Sequence, residues 1–242
     1  MRLFLDRLRA VRSDVAVSRT VLAAAAEICR RLDGIPLAIE LAAARARALA
    51  VNDIRDRLDR CLPLLGDTSE RGRHATLRAA FAWSHDLLSE PARAQLRRLA
   101  VFSGGFDADA VEAVCEFGLL EPGCTIALLA ALADASWVAT AGAEPRARYR
   151  LLEPVRQYAE ERLHDAGEDS AARDRHLAFF LSRAERDYDA FAGEEQREAG
   201  ARLEADLDNL RVALDWALET DAMSGARLLT RLRPFWFSRG LL

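Results

Sequence analysis

The chain has 242 residues, 51% of them apolar and 30% charged, with a net charge of −4, so it can bury a core without disulfide or metal staples. Alanine and leucine dominate, and β-branched and aromatic residues are few, which predicts a mainly α protein. All 34 basic residues are arginine, which excludes a P-loop within the chain, because that motif ends in Gly-Lys-Ser/Thr, and excludes lysine Schiff-base and pyridoxal-phosphate chemistry.

Residues 1–60 carry a net charge of +4 and the remainder −8. No segment is basic enough to point to nucleic acid by charge alone. Cys29, Cys61, Cys115 and Cys124 form no Cys-x-x-Cys pair, and no Cys/His spacing suits zinc. Cys29 reads as a small core residue. The cysteine usage, a start without a signal-peptide core and the absence of any apolar run near the length of a membrane span (Val21 to Ala26 is six residues, Ile126 to Ala133 eight) point to a reducing, cytoplasmic setting with no membrane span.

Residues 3–11 read as a short helix with Leu3, Phe4, Leu8 and Val11 on one side. Ser18 caps a longer helix through Leu22, Ala25, Ala26, Cys29 and Leu32, and Gly34 stands where a C-terminal glycine belongs. Pro36 suits the first turn of the next helix, which runs through Leu37, Glu40, Leu41, Ala44 and Leu49. Asn52 is expected to cap another, with Ile54 and Leu58 facing inward. Residues 61–72 hold proline, two glycines and mixed charges and read as a linker.

A helix is expected over 75–88, with Leu77, Phe81, Ser84 and Leu88 in register. Ser89-Glu90-Pro91 starts the next, which ends at Val101-Phe102 before Ser-Gly-Gly breaks the chain. Asp107 caps a helix to about Phe117, and 118–123 form a loop. Residues 125–135 read as a helix facing inward through Ile126, Leu129, Ala130 and Ala133. Residues 136–140 and 147–152 read as the two strands of a wing, and Pro154 starts a helix through Val155, Tyr158, Ala159 and Leu163. Three helices, a hairpin and a closing helix make a winged-helix domain over 73–166.

After Gly167 three helices are expected, at 176–188, 204–218 and 226–237. Their apolar residues, among them Phe179, Phe180, Leu203, Leu210, Leu214, Trp216, Leu228 and Leu232, can face one another. Residues 170–242 therefore read as the start of an α-solenoid, or tetratricopeptide-like, region. Phe235, Trp236, Phe237, Leu241 and Leu242 lie near an open apolar end.

No catalytic constellation is visible. No Ser/His/Asp or Cys/His arrangement sits in a nucleophile motif, and no His-Glu-x-x-His exists. His164 and His176 fall among polar neighbours and read as solvated; His85 reads as structural. The expected recognition helix, Thr125 to Ala135, has no arginine and one acid, whereas phosphate neutralisation and guanine readout want cations. Arg146, Arg148 and Arg150 on the wing read as a solvated or interdomain face. No direct DNA contact is expected from this winged helix.

The most informative stretch is Arg30-Arg-Leu-Asp-Gly-Ile-Pro-Leu-Ala-Ile-Glu-Leu-Ala-Ala-Ala-Arg45. It resembles the Gly-Leu-Pro-Leu-Ala segment of STAND-class, NB-ARC-type ATPases, a family that includes actinobacterial transcriptional regulators. Further stretches are similar in the same order. They are Thr76 to Ser89, Leu96 to Phe106, Tyr149-Arg-Leu-Leu-Glu-Pro-Val-Arg-Gln-Tyr-Ala159, and Glu204 to Trp216. The resemblance implies a helical lid at 1–65, a winged helix at 73–166 and the start of the repeats at 170–242. It implies that Pro36 packs on the adenine of ATP or ADP, with Gly34 permitting the turn. Many family members place a histidine on the β-phosphate from a Met-His-Asp motif; the matching residues are Leu151, Leu152 and Glu153, and Leu152 cannot donate a hydrogen bond. ATP or ADP is therefore expected only with a P-loop domain supplied in cis or in trans, and the chain alone is not expected to be an enzyme. The expected function is that of a regulatory fragment coupling nucleotide state to partner or signal recognition. The alternative is a stand-alone helical interaction module that holds another protein.

Overall fold

The computed structural model describes residues 1–12, 18–61, 70–141, 147–191 and 195–239. Among these the chain is mainly helical, with thirteen α-helices and one small antiparallel sheet. Two compact units divide it: Met1–Arg93 with Ala130–Val138, and Ala94–Leu129 with Ala139–Leu242.

The first unit holds α1 (Arg2–Val11), α2 (Arg19–Arg31), α3 (Pro36–Ala44), α4 (Val51–Cys61) and α5 (Glu70–Asp86). Six of the nine residues of α3 are buried, four of them alanines. Small side chains on nearly every side let α3 lie between α1 and α5 while α2 packs on α4. Phe4, Leu8, Ile28, Leu32, Ile39, Ile54 and Leu58 fill the core, each contributing roughly 1.5–3 kcal/mol by burial. Ser18 caps α2 as expected, its hydroxyl accepting from the Val21 amide at 3.2 Å.

Asn52 does not cap α4. The helix begins at Val51, two residues earlier than a cap at Asn52 would set it, and the Asp53 carboxylate accepts from the Ala50 amide at 3.3 Å, so the acid of the first turn satisfies a donor that the cap residue would otherwise leave open. Residues 62–69 of the expected linker lie outside the described residues, and α5 takes up the rest from Glu70. Its Phe81 packs on Trp137 with ring centroids 5.6 Å apart, and His85 meets the same indole edge-on, a structural role as expected.

The second unit takes the C-terminal half of α6 (Glu90–Arg98), then β1 (Gly105–Phe106), α7 (Ala108–Cys115) and the first half of α8 (Thr125–Asp134). β2 (Ala139–Ala141), β3 (Arg148–Arg150) and α9 (Glu153–Asp165) follow. Ser89 caps α6 and Asp107 caps α7, both as expected. α9 buries Val155, Tyr158, Ala159 and Leu163, the four residues its period assigns.

The wing is a three-stranded sheet in the order β1-β3-β2, with Tyr149 opposite Thr140 on one side and Phe106 on the other. The Ser-Gly-Gly break thus leads into an edge strand absent from the two-stranded expectation. α7 ends at Cys115, two residues early, where the buried Arg98 guanidinium takes the carbonyls of Cys115 at 2.9 Å and Phe117 at 2.7 Å. The inward face of α8 is also rotated from expectation. Thr125, Leu129 and Leu132 are buried, whereas Ile126 and Ala130 are exposed.

α10 (Asp169–Phe191) packs on α7, α11 (Gln196–Ala205), α12 (Leu207–Thr220) and α13 (Ala222–Arg239). Four helices thus replace the expected three. The extra break falls at Asp206, whose buried carboxylate is held by Arg148 and Arg183. Phe235 is buried rather than part of an open apolar end, Phe237 is exposed, and Leu241 and Leu242 lie outside the described residues. No described helix is long and apolar enough to cross a membrane.

Candidate functional site

The Gly34–Pro36 turn closes α2 and opens α3. The Asp33 amide donates to the Arg30 carbonyl at 3.1 Å, and the Gly34 amide to the Cys29 carbonyl at 3.0 Å. This is the double bond of a Schellman motif. Both residues are left-handed, Asp33 at φ 51° and Gly34 at φ 70°, so the C-terminal glycine shares its task with an aspartate that tolerates the conformation. Leu32 is anchored in the core, and Pro36 occupies the first turn of α3. Gly34 and Pro36 are both exposed, so the pyrrolidine ring offers solvent a rigid apolar face, which suits an aromatic base.

One contact ties this turn to the following helix. The Thr76 hydroxyl on α5 donates to the Asp33 carboxylate at 2.7 Å and lies 3.1 Å from the Gly72 carbonyl. Thr76 is buried, and no sequence signal marked it as a partner of Asp33. Two arginines after α3 add to the junction within this unit. Arg45 donates to the buried Ser84 hydroxyl, and Arg47 pairs with Asp134. Burial pulls the Arg45 guanidinium down to about 10.

Leu152, where the resemblance would place a phosphate-sensing histidine, is the N-cap of α9. Next to it, the Glu153 carboxylate is taken by Arg156 at 2.8 Å and Gln157 at 2.8 Å, and these hydrogen bonds lower its pKa. Among the described residues no group of His, Cys, Asp and Glu could hold a metal ion.

The wing turns inward. Arg148 donates to the Gly105 carbonyl at 2.7 Å, the Ala205 carbonyl at 3.0 Å and Asp206 at 2.8 Å. Arg150 is exposed, and Arg146 lies outside the described residues. Arg183 of α10 then bridges Asp206 and Asp107, each at 2.8 Å. Burial acts against the Arg183 charge, but the two carboxylates outweigh it and raise its pKa. Asn209 completes the network. Its amide donates to the Gly105 carbonyl at 2.9 Å, and its oxygen accepts from the Ser103 amide at 2.9 Å.

His176 belongs to this network and is not solvated. It is 2% exposed, 3.3 Å from the Asn209 oxygen, and packed against Phe102 and Phe180. Burial brings its pKa down to about 4 against a weaker opposing pull from Asn209. A folded-state pKa below the unfolded value of 6.5 means that the unfolded chain binds the proton first. The stability held by neutral His176 is complete above pH 6.5 and is lost as pH falls through about 4. Chemical denaturation across this range should lose roughly 3 kcal/mol from this residue, and His176→Phe should flatten that part of the profile.

Residues 88–164 match a family model described as a winged helix-turn-helix domain. "Putative HTH-type transcriptional regulator Rv0890c" of Mycobacterium tuberculosis is 42% identical over 245 residues, covering all of this chain and 28% of that protein. The Mycobacterium bovis protein of the same description, Mb0914c, matches equally. "Uncharacterized protein Rv0894" of M. tuberculosis is 47% identical over 174 residues, covering 71% of this chain and 44% of that protein. The chain is homologous over its whole length to the first two and spans about 28% of their length. No solved structure matches it.

Proposed function

We propose that this chain is the regulatory segment of a transcriptional regulator switched by bound nucleotide. In this reading 1–65 is the helical lid of a nucleotide-binding module of the STAND type, 73–166 its winged helix, and 170–242 the start of a helical repeat region. The observation that carries it is the Asp33–Thr76 hydrogen bond beside an exposed Gly34–Pro36 turn. A base resting on Pro36 would bear on a turn that α5 holds directly, so nucleotide docking is coupled to the helix leading into the winged helix. Homology to HTH-type regulators supports the regulatory setting.

Phosphates and magnesium would be held by a P-loop domain in cis or in trans, and that domain is the partner proposed here. The chain alone turns over no ATP, because it lacks the lysine on which P-loop chemistry depends. The winged helix serves protein docking rather than DNA reading, since the exposed side of α8, with Ile126 and Ala130, carries no cation. The cytoplasm is the proposed compartment. A second reading, a helical protein-binding module without nucleotide, draws on exposed Leu218, Met223 and Phe237.

Thermal melting of the full chain with a P-loop domain added in trans separates the two. Saturating ADP should raise the melting temperature by roughly 5–10 °C in the mixture, the effect of about 100-fold excess over Kd. Pro36→Asp should remove most of that rise. An unchanged melting temperature, or a rise that Pro36→Asp leaves intact, refutes the nucleotide reading.

A further inference from the structure

The helices α10, α12 and α13 enclose an open groove of about 680 Å³, all within the second unit. Leu177 and Leu181 of α10 form its apolar floor, and Trp216 of α12 its wall. Three carboxylates line it, Asp174, Glu185 and Asp221, against one guanidinium, Arg227. Arg227 is already paired with Glu185 at 2.6 Å. Asp174 is held in place by the Trp216 indole N–H at 2.8 Å, and Asp221 by the Ser224 hydroxyl at 2.6 Å and two amides of the first turn of α13. These bonds fix the carboxylates at the groove while their remaining lone pairs stay open to a donor.

We propose that this groove docks a peptide segment in which arginines alternate with apolar residues. A net negative lining around an apolar floor selects a cationic partner with apolar side chains. Arginine fits best, because its planar guanidinium can meet a carboxylate in bidentate fashion and lie on an indole face. Arg173 already stands over the Trp216 ring, 5.6 Å from its centroid, so a guanidinium is compatible with this wall. The lining residues of α10 run from Ser170 to Glu185, roughly 22 Å of helix. That length accommodates an extended segment of about seven residues, whose alternate side chains point to opposite sides. The groove lies on the far side of α10 from Arg183 and His176, so an occupant would bear on the helix that holds the wing network. This inference stands independently of the nucleotide reading.

The test is fluorescence anisotropy of a labelled Arg-Leu-Arg-Leu-Arg-Leu-Arg peptide titrated with the full chain, without nucleotide. Saturable binding is expected, weakened with salt and at least tenfold weaker when glutamate replaces the arginines or serine the leucines. Ala178→Trp, which fills the floor from an exposed position, and Asp174→Asn, which keeps the bond to the indole, should each weaken it at least tenfold. Matched melting temperatures identify the variants that remain folded, and Asp174→Asn serves alone if Ala178→Trp does not. No saturable binding, equal binding of the glutamate peptide, or undiminished binding to the folded variants overturns the proposal, the last by placing the peptide elsewhere on the acidic surface.

Discussion

Glu168→Ala is expected to destabilise the chain by about 3 kcal/mol, the loss typical when one partner of a buried ion pair is removed. Two consecutive arginines of α6 converge on this carboxylate. Arg97 and Arg98 each donate two hydrogen bonds to it, all at 2.9 Å. Arg98 is 1% exposed and lies 3.6 Å from the centroid of the Phe117 ring. Without Glu168 its guanidinium would remain buried with only the carbonyls of Cys115 and Phe117 as acceptors. The clamp also fastens α6 to the residue preceding α10.

Burial would raise the Glu168 pKa, but the hydrogen bonds from Arg98 and Arg97 outweigh it and bring it to about 2. The folded-state pKa lies below the unfolded one, so the clamp contributes fully above pH 4.5 and is lost as pH falls through about 2. That contribution is roughly 2–3 kcal/mol once solvent around the half-buried carboxylate is allowed for. Urea midpoints should therefore fall below pH 4.5 in the parent chain, and Glu168→Ala should lack this component. A loss under 1 kcal/mol at pH 7 would mean that Arg98 finds equivalent partners.

The parts of the fold legible in the sequence are those set by local chemistry. Ser18, Ser89 and Asp107 cap their helices because a side-chain oxygen reaches a nearby amide whatever the tertiary context. The α9 face was legible because its apolar residues alternate with charged ones. α8 offers no such contrast, since Ile, Leu and Ala surround it on all sides, and its buried face is settled only by what packs on it. β1 is two residues long and exists through pairing with β3, some 43 positions away, which no local pattern reports. The charged sequence neighbours of His176 point to solvent, whereas its side chain is buried. The useful signal was helical spacing, because Ala172, His176, Phe180 and Ala184 recur every four residues and all are buried.

At the candidate site the turn was legible and its tether was not. Gly34 and Pro36 mark the boundary between two helices through backbone geometry alone. Thr76 acquires its role only when α5 is brought beside Asp33. The wing arginines show the same division. Their charge was visible, but whether Arg148 faced solvent, nucleic acid or protein depended on Asp206, 58 positions away.

Arg183→Met should cost a further 3 kcal/mol or so and should loosen the wing from the C-terminal helices. Arg183 joins Asp107, the cap of α7, to Asp206, the residue at which α11 gives way to α12. Both carboxylates are buried. Asp206 would keep Arg148, but Asp107 would lose the guanidinium of Arg183 and retain the Ala110 amide. Faster amide exchange is therefore expected in β3 and in the first turn of α12, read together with the shift in the urea midpoint. A triple variant, Arg183→Met with Asp107→Asn and Asp206→Asn, decides the cause. If the cost of Arg183→Met arises from stranded charge, the triple variant should be more stable than the single one, because asparagine keeps each side-chain oxygen without a buried charge. If it arises from lost stacking of the guanidinium over Phe179, whose ring centroid lies 4.6 Å from the guanidinium carbon, the triple variant should gain nothing.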